Sequence, residues 1–109
     1  MSKQLQHLDE STFGDFVAAA DRPVIIDFYA DWCGPCQVMA PALESVAREY
    51  ADVVDVVKVD VDENAGLAAT YAVRSIPTLV ALRDGAVSET VTGAIGERAL
   101  RAFVERQGH

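Results

Sequence analysis

The sequence has few cysteines, few basic residues and no long apolar run. Its 109 residues include only two Cys, and nine Lys and Arg stand against 17 Asp and Glu, which gives a net charge of −8. Because nucleic acids and anionic membranes attract clustered cations, this acidic balance argues against both as partners. The longest apolar run, residues 16–20, is far shorter than the ~20 residues that span a bilayer. We therefore expect neither nucleic-acid binding nor membrane insertion.

The first ten residues also lack the apolar segment of a secretory signal, so we expect a cytoplasmic protein. Cytosolic thiols are kept reduced, which argues against a structural disulfide and makes a catalytic one the better explanation for two cysteines. A chain of this length can bury a core that folds without metal or disulfide. No linker or repeat divides it. We expect one domain over residues 1–109, present as a monomer.

Apolar periodicity predicts alternating helices and strands. Helices are predicted from a cap at Asp9 or Ser11 to about residue 20, over 34–50, around 65–71 and over 97–106. Strands are predicted over 24–30, 57–62, 78–83 and 86–92, with a weak edge strand near 4–7. The strand-helix-strand order implies a parallel crossover, and the two-residue turn Asp84-Gly85 predicts an antiparallel hairpin. Pro41 falls inside the second helix, where we expect a kink.

Two cysteines spaced CxxC, Cys33 and Cys36, lie where the central strand meets the long helix. This spacing brings the sulfurs close enough for a disulfide, and a helix N-terminus favours a thiolate. We expect Cys33, at the mouth of the helix, to be the more exposed thiol and the nucleophile. It would attack a target disulfide, and Cys36 would then attack Cys33, which releases a reduced target and leaves an oxidised pair.

Two other interpretations of this motif fit less well. A zinc site normally takes four ligands, and the remaining soft ligands, His7 and His109, lie at opposite ends of the chain. We therefore expect no metal site. Two inert core cysteines are a poor match to a Gly-Pro turn between a strand and a helix. A redox dithiol is the favoured interpretation.

Asp27 is a carboxylate in the middle of an apolar strand, where loss of hydration raises its pKa. We expect it to accept a proton from Cys36, tuned by Lys58 in the neighbouring strand. The alternative is an Asp that faces water at the strand end or pairs with Lys58. Ile76-Pro77-Thr78 places a proline at a strand start, and the sequence by itself gives little reason to predict a cis bond there.

Characteristic residues are spread over most of the chain: Asp27-Phe28-Tyr29-Ala30-Asp31-Trp32-Cys33-Gly34-Pro35-Cys36, Pro41, Lys58, Asp60, Asp62, Ile76-Pro77-Thr78, Asp84-Gly85 and Gly93. In identity and spacing, these residues resemble the thioredoxin family over essentially the whole length of the chain. The resemblance implies an α/β thioredoxin fold, with a mixed five-stranded sheet flanked by four helices. It also implies reduction of disulfide-containing target proteins and recharging by a thioredoxin reductase. The redox-active Cys33-Cys36 disulfide would serve with no other cofactor.

The resemblance also implies roles for single residues. Cys33 would attack, Cys36 would resolve, Asp27 would be the buried acid, and Pro77 would be the family's cis-proline beside the disulfide. An apolar contact surface around Cys33 would consist of Trp32, Gly34, Pro35, Ile76, Gly93 and Ala94. Departures from the family pattern are Tyr29 where Trp is common, Gln37 where Lys is frequent, and Thr92 where an apolar residue is common.

Rival functions share this motif. Disulfide oxidases and isomerases have the same fold but usually carry His between the cysteines, so Gly34-Pro35 favours a reductant. A thioredoxin-fold subunit that stabilises a partner without using its thiols stays open as a different class of function.

Overall fold

The computed structural model describes residues 5–108 and contains a five-stranded mixed sheet with helices on both faces. Three parallel strands, β1, β3 and β2, are followed by β4 and β5, each antiparallel to its neighbour, in the order β1-β3-β2-β4-β5. The elements are β1 Gln6–His7, α1 Phe13–Ala19, β2 Val24–Tyr29, α2 Gly34–Glu49, β3 Asp55–Asp60, α3 Ala65–Thr70, β4 Thr78–Arg83, β5 Ala86–Thr92 and α4 Glu97–Gln107. The predicted architecture of five strands and four helices is confirmed.

Every residue of β2 is buried, as expected for a strand covered on both faces. Ile25 faces a cluster formed with α2 and α4, whereas Ile26 and Phe28 face a cluster formed with α1 and α3. The alternation of side chains along the strand assigns its residues to these two layers in turn. Within residues 5–108, no helix is both long enough and apolar enough to cross a bilayer.

Several helix and strand boundaries in the structure differ from the predicted ones. β3 ends at Asp60 rather than at residue 62, because the Asp60 carboxylate accepts the Asp62 N–H at 2.8 Å and turns the chain there. α1 begins at Phe13, after a turn in which the Asp9 carboxylate accepts the N–H groups of Ser11 and Thr12. The edge strand β1 is only two residues long, and position 4 of its predicted range lies outside the described residues. Pro41 lies inside an uninterrupted α2.

The turn between β4 and β5 has the conformation that its sequence predicts. Asp84 and Gly85 have φ angles of 53° and 81°, the paired positive values of a type I′ turn. At the opposite end of the sheet, the start of β4 lies between the ends of β2 and β5, since Thr78 pairs with both Phe28 and Thr92. The loops that follow β2 and β3 and the loop before β4 meet here, beside the start of α2.

Candidate active site

Cys33 and Cys36 form a disulfide at the N-terminus of α2, with their Cα atoms 5.3 Å apart. Cys33 is the residue before the helix, and its Sγ accepts the Cys36 N–H at 3.2 Å. Pro35 lies in the first turn, where its missing N–H costs the helix nothing. The partial positive charge of the helix N-terminus therefore acts directly on the Cys33 sulfur.

The expectation that Cys33 is the more exposed cysteine is wrong for this disulfide form. Cys33 is 3% exposed and Cys36 is 6% exposed. Cys33 is covered because it packs in a small cluster with Tyr29 and Ala30, to which Ile76 adds a partly buried side chain. Exposure therefore does not distinguish the two sulfurs.

The residues around Cys33 and Cys36, in contrast, do distinguish the two sulfurs. Cys33 lines an open groove of about 480 Å³, which also contains four of the predicted contact residues, Trp32, Gly34, Pro35 and Ile76. Cys36 instead lines a cavity of about 170 Å³ on the other side of the disulfide, together with Lys58. The two sulfurs thus face two different environments.

The Ile76-Pro77 peptide bond is cis, the geometry that the resemblance implied and the sequence alone did not. The Ile76 carbonyl oxygen lies 3.9 Å from Sγ of Cys33. Pro77 is buried, and its carbonyl accepts the Gly93 N–H at 2.8 Å. Gly93 has a φ of 95°, a conformation that favours glycine. Gly93 thus lies beside Pro77, but neither Gly93 nor the exposed Ala94 lines the groove.

Asp27 lies in the middle of β2 and is 3% exposed, so it does not face water at a strand end. Its Oδ1 has no hydrogen-bond partner among the described residues. Burial raises the pKa of Asp27 to about 6, above its ordinary value of 3.8, and the positive charge of Lys58 opposes part of this rise. Lys58 is its neighbour in strand register, yet among residues 5–108 the two side chains form no ion pair within 4.0 Å. The structure thus describes a buried carboxyl with a cation nearby.

Sequence reasoning gave no role to the contact that fixes Trp32. This side chain is 70% exposed, and its indole Nε1 donates to Oδ2 of Asp62 at 2.7 Å. Asp62 belongs to the turn that ends β3, so the turn places a carboxylate where it can hold the indole beside Cys33. The available signal was the spacing Asp60-x-Asp62 at the end of a predicted strand. Among residues 5–108, no group of three or more His, Cys, Asp and Glu side chains is arranged to hold a metal ion.

Comparison with known proteins agrees with this geometry. The family model described as Thioredoxin matches residues 4–106. Thioredoxin of Pseudomonas aeruginosa is 41% identical over 105 residues, which cover 96% of this chain and 97% of the relative. Thioredoxin 1 of Synechococcus elongatus is 45% identical over 97 residues, or 89% and 91% of the two chains. A solved structure, that of a mutant thioredoxin from Halobacterium salinarum NRC-1, has a TM-score of 0.87 at 40% identity, and the match covers 97% of this chain and 92% of the other.

The fold, the CxxC disulfide at a helix N-terminus and these relatives lead to one conclusion. The chain belongs to the thioredoxin family and is a thiol-disulfide oxidoreductase that reduces protein disulfides by dithiol-disulfide exchange.

Proposed function

We propose that Cys33 is the attacking thiol and Cys36 the resolving thiol. The observation that carries this assignment is that Cys33 faces the open groove whereas Cys36 faces the smaller cavity behind the disulfide. In the reduced protein, the Cys33 thiolate attacks one sulfur of a target disulfide, forms a mixed disulfide and expels the other sulfur as a thiolate, which takes up a proton. The Cys36 thiolate then attacks Sγ of Cys33, re-forms the internal disulfide and releases the second target sulfur. Two electrons pass to the target.

The start of α2 favours the first step. The Cys36 N–H already points at Sγ of Cys33. A hydrogen bond to a charged acceptor is stronger than one to a neutral acceptor, so this contact strengthens when Cys33 becomes a thiolate. The helix N-terminus adds a favourable field to the same atom.

Asp27 serves the second step as the proton acceptor for Cys36. With a pKa of about 6, the carboxyl is mostly ionised at neutral pH yet is a stronger base than an exposed aspartate. Lys58, which lines the cavity beside Cys36, keeps the charged form accessible. Both residues act on the side of the disulfide that faces away from the target groove.

An extended target segment binds along the groove and pairs with the backbone of Ile76. Ile76 lies outside every strand, and neither its N–H nor its carbonyl takes part in a backbone hydrogen bond within the part of the chain described. Both groups are therefore available for strand-like pairing with a peptide. Pro77 orders this loop. Trp32, Gly34 and Pro35 provide apolar contact within the groove, and Gly93 and Ala94 extend the contact surface outside it, beside Pro77.

A thioredoxin reductase returns the pair to the dithiol, with no metal or organic cofactor in this protein. The chain acts as a cytoplasmic monomer with one domain over residues 1–109.

The test is a redox titration of the Cys33-Cys36 pair, beside an NADPH-coupled assay with a thioredoxin reductase and a disulfide-bonded protein substrate. NADPH consumption that depends on both cysteines supports the proposal. A pair that is not reduced by any thioredoxin reductase tested, but that oxidises dithiol proteins, would instead assign a disulfide oxidase.

A further inference from the structure

A row of polar side chains crosses three strands beside the Cys36 cavity. His7 on β1 is the register partner of Lys58 on β3, and Lys58 is the register partner of Asp27 on β2. Register partners on neighbouring strands project to the same face of a sheet, and so does Tyr29, two residues after Asp27. Ile25 assigns this face to the α2 and α4 side. All four side chains thus lie on the side of the sheet that carries Cys36.

Tyr29 is the contact that positions the Lys58 ammonium. Nζ of Lys58 lies 4.1 Å from the centroid of the Tyr29 ring, within the range of a cation-π interaction. Among the described residues, Lys58 forms no ion pair within 4.0 Å that could hold it elsewhere. The orientation of the ring therefore sets where this positive charge lies relative to Asp27.

His7 in turn fixes Tyr29. The Tyr29 hydroxyl is 3.1 Å from Nδ1 of His7, and the two rings meet edge to face at 5.8 Å. Burial, together with nearby carboxylates, raises the pKa of Tyr29 to about 12, so the hydroxyl keeps its proton at neutral pH. A neutral hydroxyl can donate to Nδ1 or accept from it, so it forms this hydrogen bond with either tautomer of His7. The charged groups around Tyr29 are Asp27, Asp31, Lys58, Asp60 and Glu63.

We propose that His7 is a positioning residue of the dithiol reaction, which acts through Tyr29 and Lys58 on Asp27. His7 orients the Tyr29 ring, the ring holds the Lys58 ammonium, and that charge favours the carboxylate form of Asp27. This inference rests on the proposed role of Asp27 as the proton acceptor for Cys36. His7 itself touches neither sulfur within the described contacts.

The test follows the titration of Asp27 by NMR of its carboxyl carbon, and the rate of the resolving step between pH 5 and 8. The variants are His7→Ala, His7→Asn, which returns an acceptor near the position of Nδ1, and Tyr29→Phe, which removes the hydroxyl and keeps the ring. Gln6→Ala is the matched control, since Gln6 is the exposed neighbour on the same two-residue strand.

We expect His7→Ala to raise the Asp27 midpoint by about half a pH unit, the size of an exposed cation-π contact. At pH 6 the resolving step then slows about twofold, and the difference disappears near pH 8. Tyr29→Phe should give the same shift, and the double variant His7→Ala/Tyr29→Phe should add nothing further, because both changes break one bond. His7→Asn should restore most of the wild-type profile, and Gln6→Ala should leave it unchanged.

An unshifted midpoint in both His7→Ala and Tyr29→Phe would overturn the inference, as would an equal shift in Gln6→Ala or additive shifts in the double variant. Asp27→Asn separates the two levels of the proposal. If Asp27→Asn leaves the resolving step unchanged, the proposed role of Asp27 fails. If it slows that step while the His7 and Tyr29 variants shift nothing, only the positioning role fails. Tyr29→Phe keeps the test decisive even if His7→Ala disturbs β1.

Discussion

The environments of the two active-site sulfurs differ in volume and in lining residues, although both cysteines are buried. On the Cys33 side, a groove of about 480 Å³ is walled mainly by apolar side chains and is flanked by the exposed indole of Trp32. On the Cys36 side, a cavity of about 170 Å³ is lined in part by Lys58, whose strand partner is the buried Asp27. This contrast supports the proposed division of the reaction between a groove that recognises targets and a cavity side that handles a proton.

The largest effects are expected when each cysteine is replaced in turn. Cys33→Ser should reduce disulfide reductase activity to background, because the thiol that faces the groove is gone. Cys36→Ser should keep the first attack and accumulate mixed disulfides, detectable by non-reducing gels and mass spectrometry. The opposite outcome, trapped targets with Cys33→Ser, would reverse the roles of the two faces. Circular dichroism of both variants controls for folding.

The next largest effect is on stability. The folded-state pKa of Asp27, about 6, exceeds its ordinary value of 3.8. Its contribution to stability is therefore complete below pH 3.8 and is lost as pH rises through about 6. Asp27→Asn should raise the free energy of unfolding by up to about 3 kcal/mol at pH 8, with the gain vanishing below about pH 4. Urea unfolding at several pH values measures this, and a gain that does not change with pH would contradict a buried charge.

The same substitution should also affect the two steps of the exchange reaction differently. Asp27→Asn should slow the resolving step by at least about tenfold at pH 7, since the proposed base is lost. The initial attack by Cys33 should keep its rate. Stopped-flow measurement of mixed-disulfide formation and decay separates the two steps. Equal slowing of both would show that Asp27 serves both faces of the disulfide.

A smaller effect is expected from a change confined to the Cys33 groove. Asp62→Ala removes the carboxylate that holds the Trp32 indole, and the loss of one hydrogen bond should raise KM for a protein substrate by about threefold to tenfold. The kcat should change little. Asp52→Ala is the matched control, because it removes the same charge from an exposed position. An equal rise in KM in both variants would assign the effect to net charge.

Local signals predicted much of the fold. The Asp84-Gly85 turn, the buried run of β2 and the start of α2 at Gly34 each follow from a few neighbouring residues. The end of β3 did not, because Val61 continues the alternation of apolar residues while the Asp60 carboxylate turns the chain.

The features of the active site also differ in how far the local sequence predicts them. The CxxC pair and the buried Asp27 are visible in the sequence, but the Trp32-Asp62 bond joins residues 30 positions apart. The cis bond before Pro77 was implied only by resemblance. The sequence marks His7 only as a soft metal ligand, because its contact with Tyr29 exists only once β1 joins the sheet. Tertiary pairing, which the local sequence does not encode, supplied these features.

Trp32 is the only tryptophan in the chain, and it is the residue immediately before Cys33. All tryptophan emission from this protein therefore originates within its active site. Oxidation, reduction, target docking and the protonation of nearby groups can each be followed optically on the unlabelled protein, with one natural reporter at the reacting sulfur.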